Sequence, residues 1–184
     1  TEVSSIDPGR VITDRGTVRA DVVIRATEAY TARLPGSRRE LLPIYSLMIA
    51  TEPLPSATWD DIGLEGRPTF ADGRQTVIYG QRTADGRVAF GGRGAPYHFG
   101  SRIRPDFDTD DRVRRRLTDT LVEMFPALDG VAITHHWGGP LGVPRDIHAS
   151  VRFDRRTGLG AAGGYVGDGV ATTNLAVSAM ARTP

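Results

Sequence analysis

Leu159-Gly160-Ala161-Ala162-Gly163-Gly164-Tyr165-Val166-Gly167-Asp168-Gly169-Val170-Ala171-Thr172-Thr173-Asn174 passes from a small-residue strand, through a glycine turn, into a helix. Small side chains let a backbone approach something flat and bulky. Gly167 and Gly169 remove Cβ where a helix N-terminus aims its unpaired N–H groups outward. Such a terminus favours developing negative charge. A tight strand-to-helix turn with no ligand would use the same glycines, so the stretch alone leaves both readings open. The helix ends after a few turns at Arg182-Thr183-Pro184, and residue 1 is Thr, so the chain reads as a piece of a larger protein.

Working outward, the middle of the chain is mostly β. Ile44–Thr51 (IYSLMIAT) is a strand-forming run closed by Glu52-Pro53-Leu54-Pro55, where proline ends the ladder. Three strand-like runs follow: Pro68-Thr69-Phe70, Gln75-Thr76-Val77-Ile78-Tyr79 and Val88-Ala89-Phe90, divided by Asp72-Gly73 and Asp85-Gly86. Asp-Gly between such runs tolerates positive φ and signals hairpins, which predicts an antiparallel meander over about 67–93. One amphipathic helix comes next. Asp108 and Thr109 offer N-caps, Asp110 and Asp111 put negative charge at the positive end of the dipole, and Pro126 stops the run. Val113, Leu117, Leu121 and Met124 recur every three or four residues. Arg114-Arg115-Arg116 could be a phosphate patch, but Asp110, Asp111 and Asp119 offset it, which favours a solvated face.

Near the amino end, Val11-Ile12-Thr13 runs through Asp14-Arg15-Gly16 into Thr17-Val18-Arg19 as a short hairpin. Ala20-Asp21-Val22-Val23-Ile24-Arg25-Ala26-Thr27 follows. Its short β-branched centre predicts a strand covered on both faces.

Composition narrows the chemistry. The 184 residues suit one ordinary domain or two small lobes, and can bury roughly two-thirds of the surface an unfolded chain exposes. Basic and acidic residues, 23 and 22, nearly cancel, so a net charge of +1 supplies no field for nucleic acid or an anionic membrane. Every basic residue is arginine, which rules out a Schiff-base lysine within these residues. The absence of cysteine rules out thiol catalysis, disulfides, thiolate metal sites and a cysteinyl cofactor link here. No apolar run is long enough to span a bilayer, and a cytoplasmic location is the expectation. His135 and His136 are adjacent, so on a strand they face opposite sides and cannot serve one ion together, and with His148 no acidic cluster completes a site. No metal is expected.

Taken together, Ala20–Thr27 and Gly163-Gly164-Tyr165-Val166-Gly167-Asp168-Gly169-Val170 resemble two landmarks of the D-amino-acid oxidase superfamily of FAD-dependent oxidoreductases, which includes glycine, sarcosine and γ-glutamylputrescine oxidases. Ile78-Tyr79-Gly80 and the run Phe90–Gly100 are similar to the strand pair lining the substrate pocket of sarcosine-oxidase-like members, and Trp137-Gly138-Gly139-Pro140 to the stretch before the closing strand. The resemblance covers nearly the whole chain. It implies an α+β chain: an antiparallel substrate-binding sheet with a flanking helix, plus the partial FAD-binding lobe of a Rossmann-like α/β domain. Residues 1–40 would belong to the FAD lobe, 41–145 to the substrate sheet domain, and 146–184 to the closing FAD segment.

The cofactor implied is FAD, contacted by Ala26, Thr27, Gly163, Gly164, Gly167, Asp168, Gly169 and Val170. The reaction implied is oxidation of a small-molecule amine or amino acid to an imine, the flavin supplying the chemistry. Arginine suits a substrate carboxylate because its donors form a planar fork. Arg93 in the pocket strand is the first choice, with Arg82 and Arg145 in reserve; Tyr79 and His98 would border the substrate. The sequence departs from the family in three places. Glu28 stands where the first landmark usually has Gly, and would crowd or recognise the cofactor. Val177-Ser178-Ala179-Met180 replaces the usual Gly-Arg continuation. No GxGxxG leads from a strand directly into a helix, so the amino-terminal unit that anchors FAD pyrophosphate is expected as a missing partner segment, and the fragment alone as inactive. A non-catalytic β-rich ligand-binding domain without cofactor is the alternative.

Overall fold

The computed structural model describes residues 1–73, 77–92 and 97–182. In chain order the strands and helices are β1 (Val3–Asp7), β2 (Arg10–Thr13), β3 (Gly16–Arg19), β4 (Val23–Arg25), β5 (Leu42–Thr51), α1 (Ser56–Ile62), β6 (Thr69–Ala71), β7 (Ile78–Arg82), β8 (Val88–Gly92), α2 (Asp111–Met124), β9 (Ile133–Val143), β10 (Ser150–Asp154), β11 (Leu159–Gly163) and α3 (Gly169–Arg182). Short 3-10 turns lie at Glu28–Arg33, Pro105–Phe107 and Pro126–Leu128. The chain divides into two compact units, one of residues 45–96 and 104–140, the other of 1–44, 97–103 and 141–184.

The first of these units is built on a five-stranded sheet of order β6-β7-β8-β5-β9. β6, β7 and β8 form the expected antiparallel meander, with Phe70 opposite Gly80 and Tyr79 opposite Gly91. Gly86 takes φ +77° in the Asp85-Gly86 turn, where the Gly86 N–H donates to the Thr83 carbonyl. Along β5 the side chains alternate: Tyr45, Leu47 and Ile49 are buried, while Ser46 and Met48 are half-buried on the opposite face. The buried set meets Ile78, Val88 and Phe90 from the meander and Val113, Leu117 and Leu121 from α2. Each such side chain contributes roughly 1.5–3 kcal/mol by leaving water. Met124 packs against this core only partly buried. Arg115 and Arg116 are exposed, and Arg114 pairs with Asp111 at 3.3 Å, so the arginine triplet lies on a solvated helix face.

Two sequence expectations change here. The N-cap of α2 is Asp110, whose carboxylate accepts the Arg112 and Val113 N–H groups at 2.8 and 3.0 Å, instead of Asp108 or Thr109. Those amides, Val113 foremost, hold the Asp110 carboxyl below its usual range. The second strand of the meander begins at Ile78 and runs on to Arg82. The part of that run assigned to Gln75 and Thr76 lies outside the described residues.

In the other unit, β1, β2 and β3 form a small antiparallel sheet whose β2–β3 turn falls at Asp14-Arg15. A second sheet has the order β10-β11-β4, with β10 antiparallel to β11 and β11 parallel to β4. α3 packs on β10 and β11. Gly160 makes that approach possible, since a Cβ there would come within 2.9 Å of Met180 Cε and 3.2 Å of Phe153. Part of the small-residue character of Leu159–Gly163 thus serves helix packing. The expectation that Val22-Val23-Ile24 is covered on both faces is corrected: Val23 is buried, but Val22 and Ile24 are 51% and 53% exposed. Both line an open pocket on that side.

Candidate functional site

Parallel pairing puts the carboxy ends of both strands at one edge of the sheet, where ligands of open α/β sheets collect. β4 and β11 pair in the register Val23–Leu159, Ile24–Gly160 and Arg25–Ala161. Beyond them, the Ala26–Glu28 turn and the Gly164–Asp168 turn therefore emerge side by side. A pocket of about 560 Å³ reaches from these turns along the strand to Val22 and Met180, a volume within the range of small-ligand sites. Ile24, Ala26 and Glu28 line it from the first segment. Tyr165, Gly169 and Thr173 line it from the second.

The second turn is strained. Gly164, Val166 and Gly167 have φ of +76°, +53° and +96°, and a β-branched residue in that region is costly. Its far end is tied by the Asp168 N–H, which donates to the Tyr165 carbonyl at 3.0 Å. The Thr172 hydroxyl donates to Asp168 Oδ2, also at 3.0 Å. Its near end is held by Glu28. Glu28 Oε1 accepts the Gly164 and Tyr165 N–H groups at 2.9 and 3.2 Å, and Oε2 accepts the Gly142 N–H at 2.9 Å. Any Cβ on Gly142 would overlap Glu28 Oε2 and approach the Ala29 nitrogen to 3.0 Å. Gly142 is a site residue that the sequence reading missed, because its role is to leave room for a side chain remote in the chain.

Away from this pocket, Arg25 at the end of β4 pairs with Glu40 and donates to the Ser37 hydroxyl at 2.9 Å, while Arg152 of β10 reaches Glu40 at 3.2 Å. The hydrogen bond from Arg25 lowers the Glu40 carboxyl to about 2, with Ser37 and Arg152 adding to the effect. Because the folded value lies below the ordinary 4.5, this stabilisation is complete above about pH 4.5 and is lost as the pH falls from there towards 2. Glu40 is partly open to water, so screening reduces the contribution to about 1 kcal/mol. Urea midpoints of wild type and Glu40→Gln should draw together as the pH falls from about 4.5 to about 2.5; a gap undiminished at about pH 2.5 would contradict this account.

The other residues singled out by sequence are placed as follows. The Thr27 and Thr31 hydroxyls share a hydrogen bond of 2.8 Å. Gly163 closes β11 opposite Ser150. Val170 follows Gly169 in the first turn of α3 with its side chain almost wholly exposed. Tyr79 lies in the sheet unit: its ring sits over Gly91, where a Cβ would come within 2.9 Å, and its hydroxyl is 2.6 Å from Ser46 Oγ. Arg82 stacks on Trp59 at 4.2 Å, and Arg145 is exposed. His98 belongs to the 97–103 segment of the pocket unit. Arg93 lies outside the described residues. His135 bonds to Thr134, burial and then Arg114 push His136 below its ordinary value, and His148 bonds to the Asp146 carbonyl. Among the described residues no three His, Cys, Asp or Glu side chains gather where they could hold a metal. No described helix is long and apolar enough to cross a membrane.

The family model described as FAD dependent oxidoreductase, DAO, matches residues 1–182. The chain belongs to this DAO family. It is 31% identical over 172 residues to a probable oxidoreductase OrdL of Haemophilus influenzae, covering 90% of this chain and 36% of that protein. It is 33% identical over 163 residues to the Rhizobium meliloti OrdL, covering 88% and 35%. The DAO-family chain thus spans about a third of the length of these relatives. Its fold is shared with glycine oxidase from Bacillus cereus, at a TM-score of 0.72 and 18% identity over 95% of this chain and 45% of that one. Glycine oxidase from Geobacillus kaustophilus gives a TM-score of 0.70 at 18% identity over 96% and 46%.

FAD is the cofactor of the DAO family, and the pocket fits part of it. The lining is mainly apolar, and a Cβ built on Gly169 meets nothing closer than 3.8 Å, leaving the wall open to a flat ring. Ala26 and Gly169 would border that ring, with the turn from Gly163 to Asp168 flanking it.

Proposed function

We propose that the chain supplies the cofactor-closing turn and the substrate sheet of an FAD-dependent oxidoreductase that oxidises an amine or amino acid to an imine. The observation that carries this reading is the parallel β4–β11 pair, which sets the Ala26 and Gly169 turns around one pocket. The names of proteins that share the fold support the substrate class. Glycine oxidase, L-proline dehydrogenase and iminodiacetate oxidase share the fold, and the compounds they are named for are all amines that carry a carboxylate. The chemistry that FAD would supply when bound is the two-electron oxidation of the amine to an imine, which water hydrolyses to a carbonyl compound and an amine.

The chain's own groups have distinct roles in this reading. Arg93 clamps the substrate carboxylate, Tyr79 orients the substrate through its hydroxyl, and His98 borders it. The first N–H groups of α3 face the negative charge that develops on reduction. Residues 1–40 and 146–184 serve the cofactor, and residues 41–145, which hold the five-stranded sheet, serve the substrate. Anaerobic mixing of the full-length flavoprotein with a panel of carboxylate-bearing primary and secondary amines should bleach the flavin absorbance. Bleaching by no member of the panel would refute the substrate class.

The GxGxxG spacing of residues 1–184, Gly158–Gly163, lies along β11 and opens no helix, so it offers the pyrophosphate no helix N-terminus of the dinucleotide-binding type to rest on. Titration of this fragment with FAD should give a Kd above the micromolar range and no oxidase turnover; submicromolar binding would overturn that expectation.

A further inference from the structure

Glu28 has a backbone suited to glycine and a side chain that glycine could not replace. Its φ of +45° lies in the left-handed region, where a Cβ is a burden. Its carboxylate nevertheless binds three amides, one at the end of β9 and two at the start of the turn after β11, while Glu28 itself follows β4. One side chain thus ties together three backbone segments that are far apart in sequence. The turn it grips contains Val166 at φ +53°, a conformation that persists only where the surroundings over-determine it. Glu28 also lines the 560 Å³ pocket beside Ala26 and Gly169.

We propose that Glu28 is a positioning residue for the flavin: its carboxylate locks the 164–168 turn into the shape that forms the pocket wall, and it fixes a negative charge there that disfavours flavin reduction. The inference rests on the assignment of this pocket to FAD. A flavin gains electrons on reduction, and a carboxylate on the pocket wall opposes that gain by like-charge repulsion. The three amides orient the carboxylate and soften its field, but they are neutral dipoles and leave its net charge in place. Flavin affinity and flavin potential are therefore both set in part by a residue that departs from the glycine of the resembled family.

The test uses the full-length flavoprotein with Glu28→Gln and Glu28→Ala. Glu28→Gln keeps the shape and one carbonyl acceptor but removes the charge. It should fold, retain flavin, and shift the ratio of reduced to oxidised flavin at a fixed applied potential at least threefold towards reduced. Glu28→Ala should in addition speed amide hydrogen exchange at Gly164 and Tyr165 at least tenfold and weaken FAD binding at least tenfold. An unchanged ratio in Glu28→Gln, or unchanged exchange in Glu28→Ala, would overturn the proposal and leave the cofactor assignment standing. A wild-type protein that takes up no FAD would instead overturn the cofactor assignment, and this proposal with it.

Discussion

Gly158→Ala is expected to destabilise the pocket unit by about 3 kcal/mol or more, among the larger effects of a single added methyl group. Two independent causes act at this position. Gly158 has φ +68°, which costs an alanine roughly 1 kcal/mol or slightly more. A Cβ there would also overlap the Asp21 carbonyl oxygen and sit 3.3 Å from its carbonyl carbon. Those atoms are backbone, so no rotamer change relieves the clash and one segment must move. The segment that moves carries the pocket, because the Val23 N–H donates to the Gly158 carbonyl at 2.9 Å at the start of the β4–β11 pair. Separating the two strands withdraws the Ala26 turn from the Gly169 turn. Urea denaturation should show a lower midpoint, and flavin content should fall in parallel. An unchanged midpoint would mean that the β4–β11 pair does not depend on this close approach.

How much of this was legible in the sequence depends on whether the signal was local. The meander and α2 were legible because Asp85-Gly86 and the Val113, Leu117, Leu121 spacing encode a turn and a helix face within a few residues. β1 and α1 were not foreseen. Val3-Ser4-Ser5-Ile6 has no alternation, and Pro53 and Pro55 read as a stop, whereas Pro55 is the residue from which α1 starts. Asp108 and Thr109 read as the capping candidates, and only backbone geometry makes their neighbour Asp110 the cap. The nearness of β4 and β11 came from family resemblance alone, since a parallel pair joined across most of the chain leaves no periodic trace. Glu28 stood out as a departure, but its partners did not: backbone amides of Gly142, Gly164 and Tyr165 bind it, and an amide has no signature in sequence. Val22 and Ile24 show how a correct pattern can mislead. Their β-branched run is a strand flank, yet its uncovered side faces a pocket large enough for a ligand, so apolar character here marks a binding wall as well as a core.

Gly169→Val should remove flavin from the full-length protein while leaving its thermal stability unchanged to within about 0.5 kcal/mol. The two effects separate because of what surrounds the position. The backbone at Gly169 is not left-handed, and a Cβ there meets Tyr165 and Thr173 at 3.8–3.9 Å, ordinary van der Waals contact. Valine also has a slightly better helix propensity than glycine, so the first turn of α3 loses nothing in intrinsic stability. What the branched side chain does take is space in the pocket between Tyr165 and Thr173, on the wall that a flat ring would approach. Loss of that approach should weaken FAD binding at least tenfold, about 1.4 kcal/mol or more. Gly167→Ala provides the contrast. Its φ of +96° makes any side chain strained, so that variant should lose stability whether or not flavin is present. The measurements are flavin absorbance per protein and thermal unfolding of the apo forms. Full flavin occupancy in Gly169→Val would detach this turn from the cofactor. A Gly169→Val protein that lost stability as much as Gly167→Ala would show that the glycine serves the turn itself, an outcome that the ordinary contacts around its Cβ argue against.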